Sequence, residues 1–258
     1  MEIKTNNKTV KIFEKLAVDT WERMKYGEQL GCRQGEETIT DINLLEIMRA
    51  QLGNVIVHKS HKRNEAITGL DWEWWIGSNT QGWWGYAVQA KKLSPDCRYK
   101  TLRHKVKGKE QIKILESYAQ ANNCIPLYCF YNYLNFERSI RQEFWHCNLP
   151  CNEEQLGCTI VPIDIVRNAY KSGADKSFFA LHSNNRALPW RCLVKCNHFN
   201  SFNSLHTPNL LAGEGYENVK PYEIKKEDIL RSQSNPNLYN KSIGISPKRI
   251  LIIDVGNS

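Results

Sequence analysis

Thr68-Gly69-Leu70-Asp71-Trp72-Glu73-Trp74-Trp75-Ile76 runs through Ser78-Asn79-Thr80-Gln81-Gly82 into Trp83-Trp84-Gly85-Tyr86-Ala87-Val88-Gln89-Ala90-Lys91. The flanks are rich in aromatic and β-branched residues and read as strands at Ile67–Ile76 and Trp83–Val88, while the glycine-containing gap has the length of a hairpin loop. If Ile76 pairs with Trp84 and Gly77 with Trp83, Asp71 stands opposite Gln89 and Gly69 opposite Lys91. Directly opposed residues share a face of the sheet with Cβ atoms about 5 Å apart, so this register gathers a carboxylate, an amide and an amine. Alternation along the strand puts Glu73 and Trp75 on that face as well, and sends Trp72 and Trp74 to the other, where they should pack as core.

Outward from the hairpin, the elements alternate in type. Val10, Phe13, Leu16, Ala17, Trp21 and Met24 recur at helical spacing and predict a packing helix over residues 8–26. After a glycine-bearing break, Glu36-Glu37-Thr38-Ile39-Thr40-Asp41 opens a second helix, for which Ile42, Leu45, Met48 and Leu52 give the expected inner face and Gly53 the stop. Glu37 and Asp41 lie one turn apart on it. Asn54–His58 predicts a short strand, Ile112, Leu115, Tyr118 and Ala119 a helix, and Ile125–Tyr131 a strand buried on both faces. Beyond it, Thr159–Ile163 reads as a strand, Asp164 as the start of a helix and Arg249–Val255 as an apolar run. Residues 200–240 read as long loops rich in Asn, Ser and Pro. The expected class is α/β, one domain over residues 1–258, with a core at about 35–131 and a C-terminal α/β extension over 132–258.

Mg²⁺ prefers hard oxygen donors and needs one or two carboxylates besides substrate phosphate. Asp71 is the candidate anchor, the Gln89 amide oxygen and Ala90 carbonyl are further donors, and Lys91 is placed to orient water and offset developing negative charge. Glu37 and Glu73 are candidates for a second ion or an outer contact. Taken as three residues alone, the set favours an ordinary cross-strand ion pair of Asp71 and Lys91 on a solvated face, with Gln89 as a neutral spacer. Lys and Arg outnumber Asp and Glu by 35 to 27, giving a formal charge of +8 in 258 residues, which suits a polyanion. The densest basic stretch follows Lys91. Lys92, Arg98, Lys100, Arg103 and Lys105 are expected to contact phosphates, with Trp75 near the hairpin tip stacking on a base.

The order helix, three strands, helix, strand, with Asp71 on the second strand and Gln89-Ala90-Lys91 on the third, resembles the PD-(D/E)xK nuclease superfamily. Glutamine stands in the acid position, as in Mrr-type restriction enzymes. Glu37 matches the glutamate often found on the first helix, and Glu65-Ala66-Ile67-Thr68-Gly69-Leu70-Asp71 matches the approach to the metal aspartate. The combination of Asp71–Ile76, Val88–Lys91 and Phe130-Tyr131-Asn132 is also similar to a bacterial family of unassigned function. The resemblance implies a restriction-endonuclease-like core. It also implies a magnesium-dependent endonuclease, for which Mn²⁺ can substitute, acting on DNA without strict sequence choice in defence against phage. A homodimer, or association with another subunit of a defence system, is compatible with that role. Two alternatives stand beside it: a nucleic-acid-binding module of the same fold with a weakened site, and an RNA-directed nuclease.

Nine cysteines, an odd number, in a chain whose start has no signal-peptide pattern imply reduced thiols and a soluble cytoplasmic protein without membrane contact. Cys147, Cys151, Cys192 and Cys196, with His146 and His198 beside them, are expected to be buried free thiols, and structural zinc is the alternative.

Overall fold

A computed structural model describes residues 7–59, 70–196, 208, 210–229 and 249–256. Its centre is a seven-stranded mixed sheet. In chain order the strands are β1 (Val55–Lys59), β2 (Trp72–Ser78), β3 (Gly82–Lys92), β6 (Ile125–Tyr131), β7 (Cys158–Pro162), β8 (Leu188–Pro189) and β9 (Arg249–Asp254), and across the sheet they run β1-β9-β2-β3-β6-β7-β8. The hairpin β4 (Lys105–Val106) and β5 (Lys109–Glu110) stands apart from it. The fold is α/β. No helix among the described residues is long and apolar enough to cross a membrane.

Hairpin register follows from loop length. Ile76 pairs with Trp84 and Gly77 with Trp83, and Ser78 faces Gly82 across the three residues Asn79 to Gln81. Gly82 closes the turn at φ +81, where a side chain would be strained. β6 then runs parallel to β3, a geometry that requires a long crossover, supplied by the β4–β5 hairpin and α3 (Gln111–Ala121).

Each face of the sheet carries its own core. Trp72, Trp74, Ile76, Tyr86 and Val88 pack with Phe13 and Leu16 of α1 (Asn7–Gln29) and Ile39 and Ile47 of α2 (Glu36–Arg49). On the opposite face Ala87, Tyr128 and Phe130 meet Leu115 and Tyr118 of α3 and Val166 of α5 (Ile163–Tyr170). Smaller helices complete the chain: α4 (Arg138–Gln142), α6 (Phe178–His182) and α7 (Cys192–Lys195), with a 3-10 turn at Glu153–Gly157.

Two expectations change. α2 turns inward Ile39, Thr40, Asn43, Leu44 and Ile47, whereas Leu45 and Met48 are exposed. Polar partners decide its phase: the Thr40 hydroxyl is 2.8 Å from the Tyr131 hydroxyl, and Asn43 pairs with Thr20 of α1. These bonds satisfy polar groups that burial would otherwise leave costly, and two apolar side chains on the outer face do not outweigh that. Second, residues 132–258 are no appended extension, because they contribute β7, β8 and β9 to the same sheet. β9 lies parallel to β2 and antiparallel to β1, between the two. Its apolar run Ile250-Leu251-Ile252-Ile253, with neighbours on both sides, is suited to a strand covered on both faces. Of the stretch 200–240, only 208 and 210–229 are described.

Candidate active site

Asp71 immediately precedes β2, one residue beyond the last ladder pair Trp72–Val88, and its backbone N–H donates to the Val88 carbonyl at 2.9 Å rather than to Gln89. Its side chain turns toward the end of β3. The Ala90 N–H donates to Asp71 Oδ2 at 2.8 Å, and the Gln89 amide nitrogen donates to the same oxygen and, at 3.1 Å, to the Ala90 carbonyl. Gln89 Oε1, by contrast, is buried without a hydrogen-bond partner among the described residues. Turning the amide over would bring its oxygen toward the Asp71 carboxylate and Ala90 carbonyl, giving three oxygen donors of the hard kind that Mg²⁺ selects. The buried orphan oxygen is thus the feature that fits a cation.

Lys91 follows on the same face and is only 3% exposed. Its ammonium donates to Gln111 Oε1 at 2.8 Å and lies 3.7 Å from Glu36 Oε2. The other Glu36 oxygen accepts from the Lys92 backbone N–H at 3.2 Å and the Thr101 hydroxyl at 2.7 Å. The site therefore joins the start of β2, the end of β3 and the first residues of α2 and α3.

Burial pushes the Asp71 carboxyl up to about 6 from 3.8, a rise that the Ala90 N–H and Lys91 oppose and Glu36 reinforces. Burial also lowers the Lys92 ammonium, although Glu36 works against the shift. A buried carboxyl raised well above its ordinary value and influenced by a neighbouring lysine is the kind of pairing that proton-transfer and metal sites use.

Glu37 is not the helix acid of this site. Successive helix positions are about 100° apart, and Glu36 is in line with Ile39, Thr40 and Asn43 on the buried face. Glu37 is turned outward and exposed. Glu73 is fully buried, one oxygen accepting from the Trp75 indole N–H and the other from the Tyr118 hydroxyl, so it ties β2 to α3 rather than facing the Asp71 carboxylate. Trp75 is itself core, packed edge-on against Tyr222 and among Trp83, Ile229, Ile250 and Ile252. The described part of 210–229 covers the surface where a base would have stacked.

The basic stretch divides in the same way. Arg103 donates to the Ala169 and Lys171 carbonyls at the end of α5 and has a structural place. Arg98 pairs with Asp175 at 3.2 Å, Lys100 with Asp96 at 3.2 Å, and the Lys92 ammonium donates to the Gln34 carbonyl. Lys105, Lys107 and Lys109 are exposed on the β4–β5 hairpin, and no described carboxylate pairs with them. Gln111, which holds Lys91, donates its backbone N–H to the His104 carbonyl at 3.0 Å, so this hairpin is anchored beside the site. Of the cysteines, Cys147, Cys192 and Cys196 come together while Cys151 is exposed. His146 Nε2 is directed at the His182 carbonyl, and His198 lies outside the described residues.

Sequence reasoning missed Glu36, Thr101 and Gln111. The phase of α2, read through Thr40 and Asn43 instead of the apolar residues, would have selected Glu36. No local signal marks Gln111, which arrives by tertiary packing. Comparison with known families gives a match to the family described as "Family of unknown function (DUF6615)", over residues 9–254. The chain belongs to DUF6615. No curated protein and no solved structure matches it. The match spans α1 through β9, so the DUF6615 region includes every residue of the site.

Proposed function

We propose that this DUF6615 chain is a magnesium-dependent nuclease acting on DNA, with a core of the PD-(D/E)xK kind. One observation carries the reading: the Asp71 carboxylate, Gln89 amide and Ala90 carbonyl converge beside a buried Lys91, and Gln89 Oε1 has no partner among the described residues. Element order supports it, since α2, β1, β2, β3, α3 and β6 repeat the sequence helix, three strands, helix, strand. The insertion of β9 between β1 and β2 departs from a simple three-strand meander.

Asp71, Gln89 and the Ala90 carbonyl would hold the ion. Mg²⁺, when bound, supplies Lewis-acid polarisation of the scissile phosphate. Lys91, kept in position by Gln111 and Glu36, directs its ammonium to the attacking water and offsets charge on the phosphoryl oxygens. Glu36, 3.7 Å from that ammonium, would take one of its protons as the lysine nitrogen takes one from the attacking water, so that Lys91 ends the step as an ammonium again. Lys105, Lys107 and Lys109 meet the sugar-phosphate backbone, which gives binding without sequence readout. A second reading, a DNA-binding module with weak catalysis, is favoured by glutamine at position 89, which leaves Asp71 as the only carboxylate in the donor set.

The test uses the full chain with plasmid DNA and with RNA, in Mg²⁺, in EDTA, and in EDTA followed by excess Mg²⁺. Cleavage of DNA that EDTA stops and Mg²⁺ restores is expected, with Gln89→Leu inactive and Gln89→Glu active. DNA binding without cleavage in Mg²⁺ or Mn²⁺ would select the binding module, and cleavage of RNA alone the RNA-directed alternative. Charge reversal of Lys105, Lys107 and Lys109 together should lower the slope of log affinity against log salt by about three, one for each lost phosphate contact. An unchanged slope would move the DNA path off this hairpin.

A further inference from the structure

Away from the β3 terminus, three sulfurs meet. Cys147 lies in the loop after α4, Cys192 opens α7 and Cys196 directly follows it, and their Sγ atoms all lie within 4.8 Å of one another. All three residues are buried. Spacing of four residues on one helical turn puts Cys192 and Cys196 on the same side. The third sulfur comes from a segment far away in the chain, with Cys147 and Cys196 separated by 49 positions and their sulfurs by 3.6 Å.

We propose that Cys147, Cys192 and Cys196 ligate a structural zinc ion that fastens the loop after α4 to α7. Thiolates about 2.3 Å from a tetrahedral zinc stand about 3.8 Å from one another, close to the Cys147–Cys196 separation, whereas a disulfide needs about 2.05 Å. The backbone supplies a donor of the kind that supports metal-bound thiolates. Leu149 N–H donates to Cys147 Sγ at 3.5 Å. A cation is also in place: Arg191 is buried, stacks its guanidinium 5.1 Å from the Trp145 ring, and acts electrostatically on Cys147. Its Nη1 pairs with Glu14 at 2.7 Å, yet its Nε and Nη2 are buried without hydrogen-bond partners among the described residues. Three thiolates around Zn²⁺ carry one net negative charge, which a buried guanidinium complements. Neutral packed thiols would leave Glu14 as its one described carboxylate partner. Three protein sulfurs fill three of the four tetrahedral positions. Soft thiolate donors also separate this site chemically from the oxygen donors around Asp71.

Full-length, untagged protein purified without chelator should contain about one zinc per chain by elemental analysis, falling to about none in Cys192→Ser and in Cys196→Ser and unchanged in Cys32→Ser. Should the two variants fail to fold, wild-type protein loaded with Co²⁺ gives an independent reading, because a thiolate-rich tetrahedral site produces sulfur-to-cobalt charge-transfer absorption. Zinc-free wild-type protein whose three thiols titrate as free, or whose mass reports a Cys147–Cys196 disulfide, would overturn the proposal. So would a cobalt spectrum without the charge-transfer band.

Discussion

Lys91→Ala should slow DNA cleavage by about 10³-fold while leaving the Mg²⁺-induced rise in melting temperature in place, because the ammonium acts on water and phosphate rather than on the ion. Asp71→Asn should remove both. The pair of outcomes separates the two roles, since Lys91 also acts electrostatically on the Asp71 carboxyl. The same substitutions have a structural signature. Asp71 is a carboxylate held against its desolvation, so in metal-free protein above about pH 6 the Asp71→Asn variant, neutral at that position, should be at least as stable as wild type. Lys91→Ala removes a cation that opposes the Asp71 shift, so its metal binding is best measured near pH 8, where the carboxyl remains ionised. Cleavage retained in Lys91→Ala, with folding intact by circular dichroism, would remove Lys91 from the chemistry. A metal-dependent melting shift retained in Asp71→Asn would move the ion elsewhere.

The second large effect is on pH. With its carboxyl raised from 3.8 to about 6, Asp71 binds a proton more tightly folded than unfolded. The stability it contributes is therefore full below 3.8 and is lost as pH rises through about 6, the reverse of an ordinary salt-bridged carboxylate. Mg²⁺ competes with that proton. Affinity for the ion, and kcat/KM for cleavage with it, should fall about tenfold for each pH unit below about 6 and level off above it. Calorimetric titration of Mg²⁺ across this range decides the matter, and equal affinity at about pH 5 and about pH 7.5 would dissociate Asp71 from metal binding.

Much of this geometry was legible because strand alternation and loop length are local. The pairing of Ile76 with Trp84 and the inward packing of Trp72 and Trp74 followed from spacing alone. Helix phase was harder. Ile42, Leu45 and Met48 are as apolar as the buried Ile39 and Ile47, and the bonds from Thr40 to Tyr131 and from Asn43 to Thr20 that settle the choice join distant segments. The resemblance points to Glu37, whereas the phase of α2 brings Glu36 to Lys91 in its place. Trp75 and Arg103 misled for a related one: a tryptophan near a hairpin tip and an arginine in a basic run resemble ligand contacts, until residues 210–229 and the end of α5 are seen against them. The meeting of Gln111 with Lys91, and of Cys147 with Cys196, depends on packing that no short motif encodes.

The insertion of β9 has a kinetic side. A strand that lies between two others joins neighbours made long before it, and the contact from Arg249 to the Asp71 carbonyl closes a separation of 178 residues. Such long-range pairing loses chain entropy early and is rewarded late, which slows folding. Until β9 docks, β1 and the tryptophan-rich β2 present two unsatisfied strand edges to each other and to other chains, a ready template for aggregation. The Asp71 backbone gains its Arg249 bond in that same docking step. Assembly of the site is thus coupled to the docking of β9, and an incompletely folded chain would carry the site residues without the framework that aligns them.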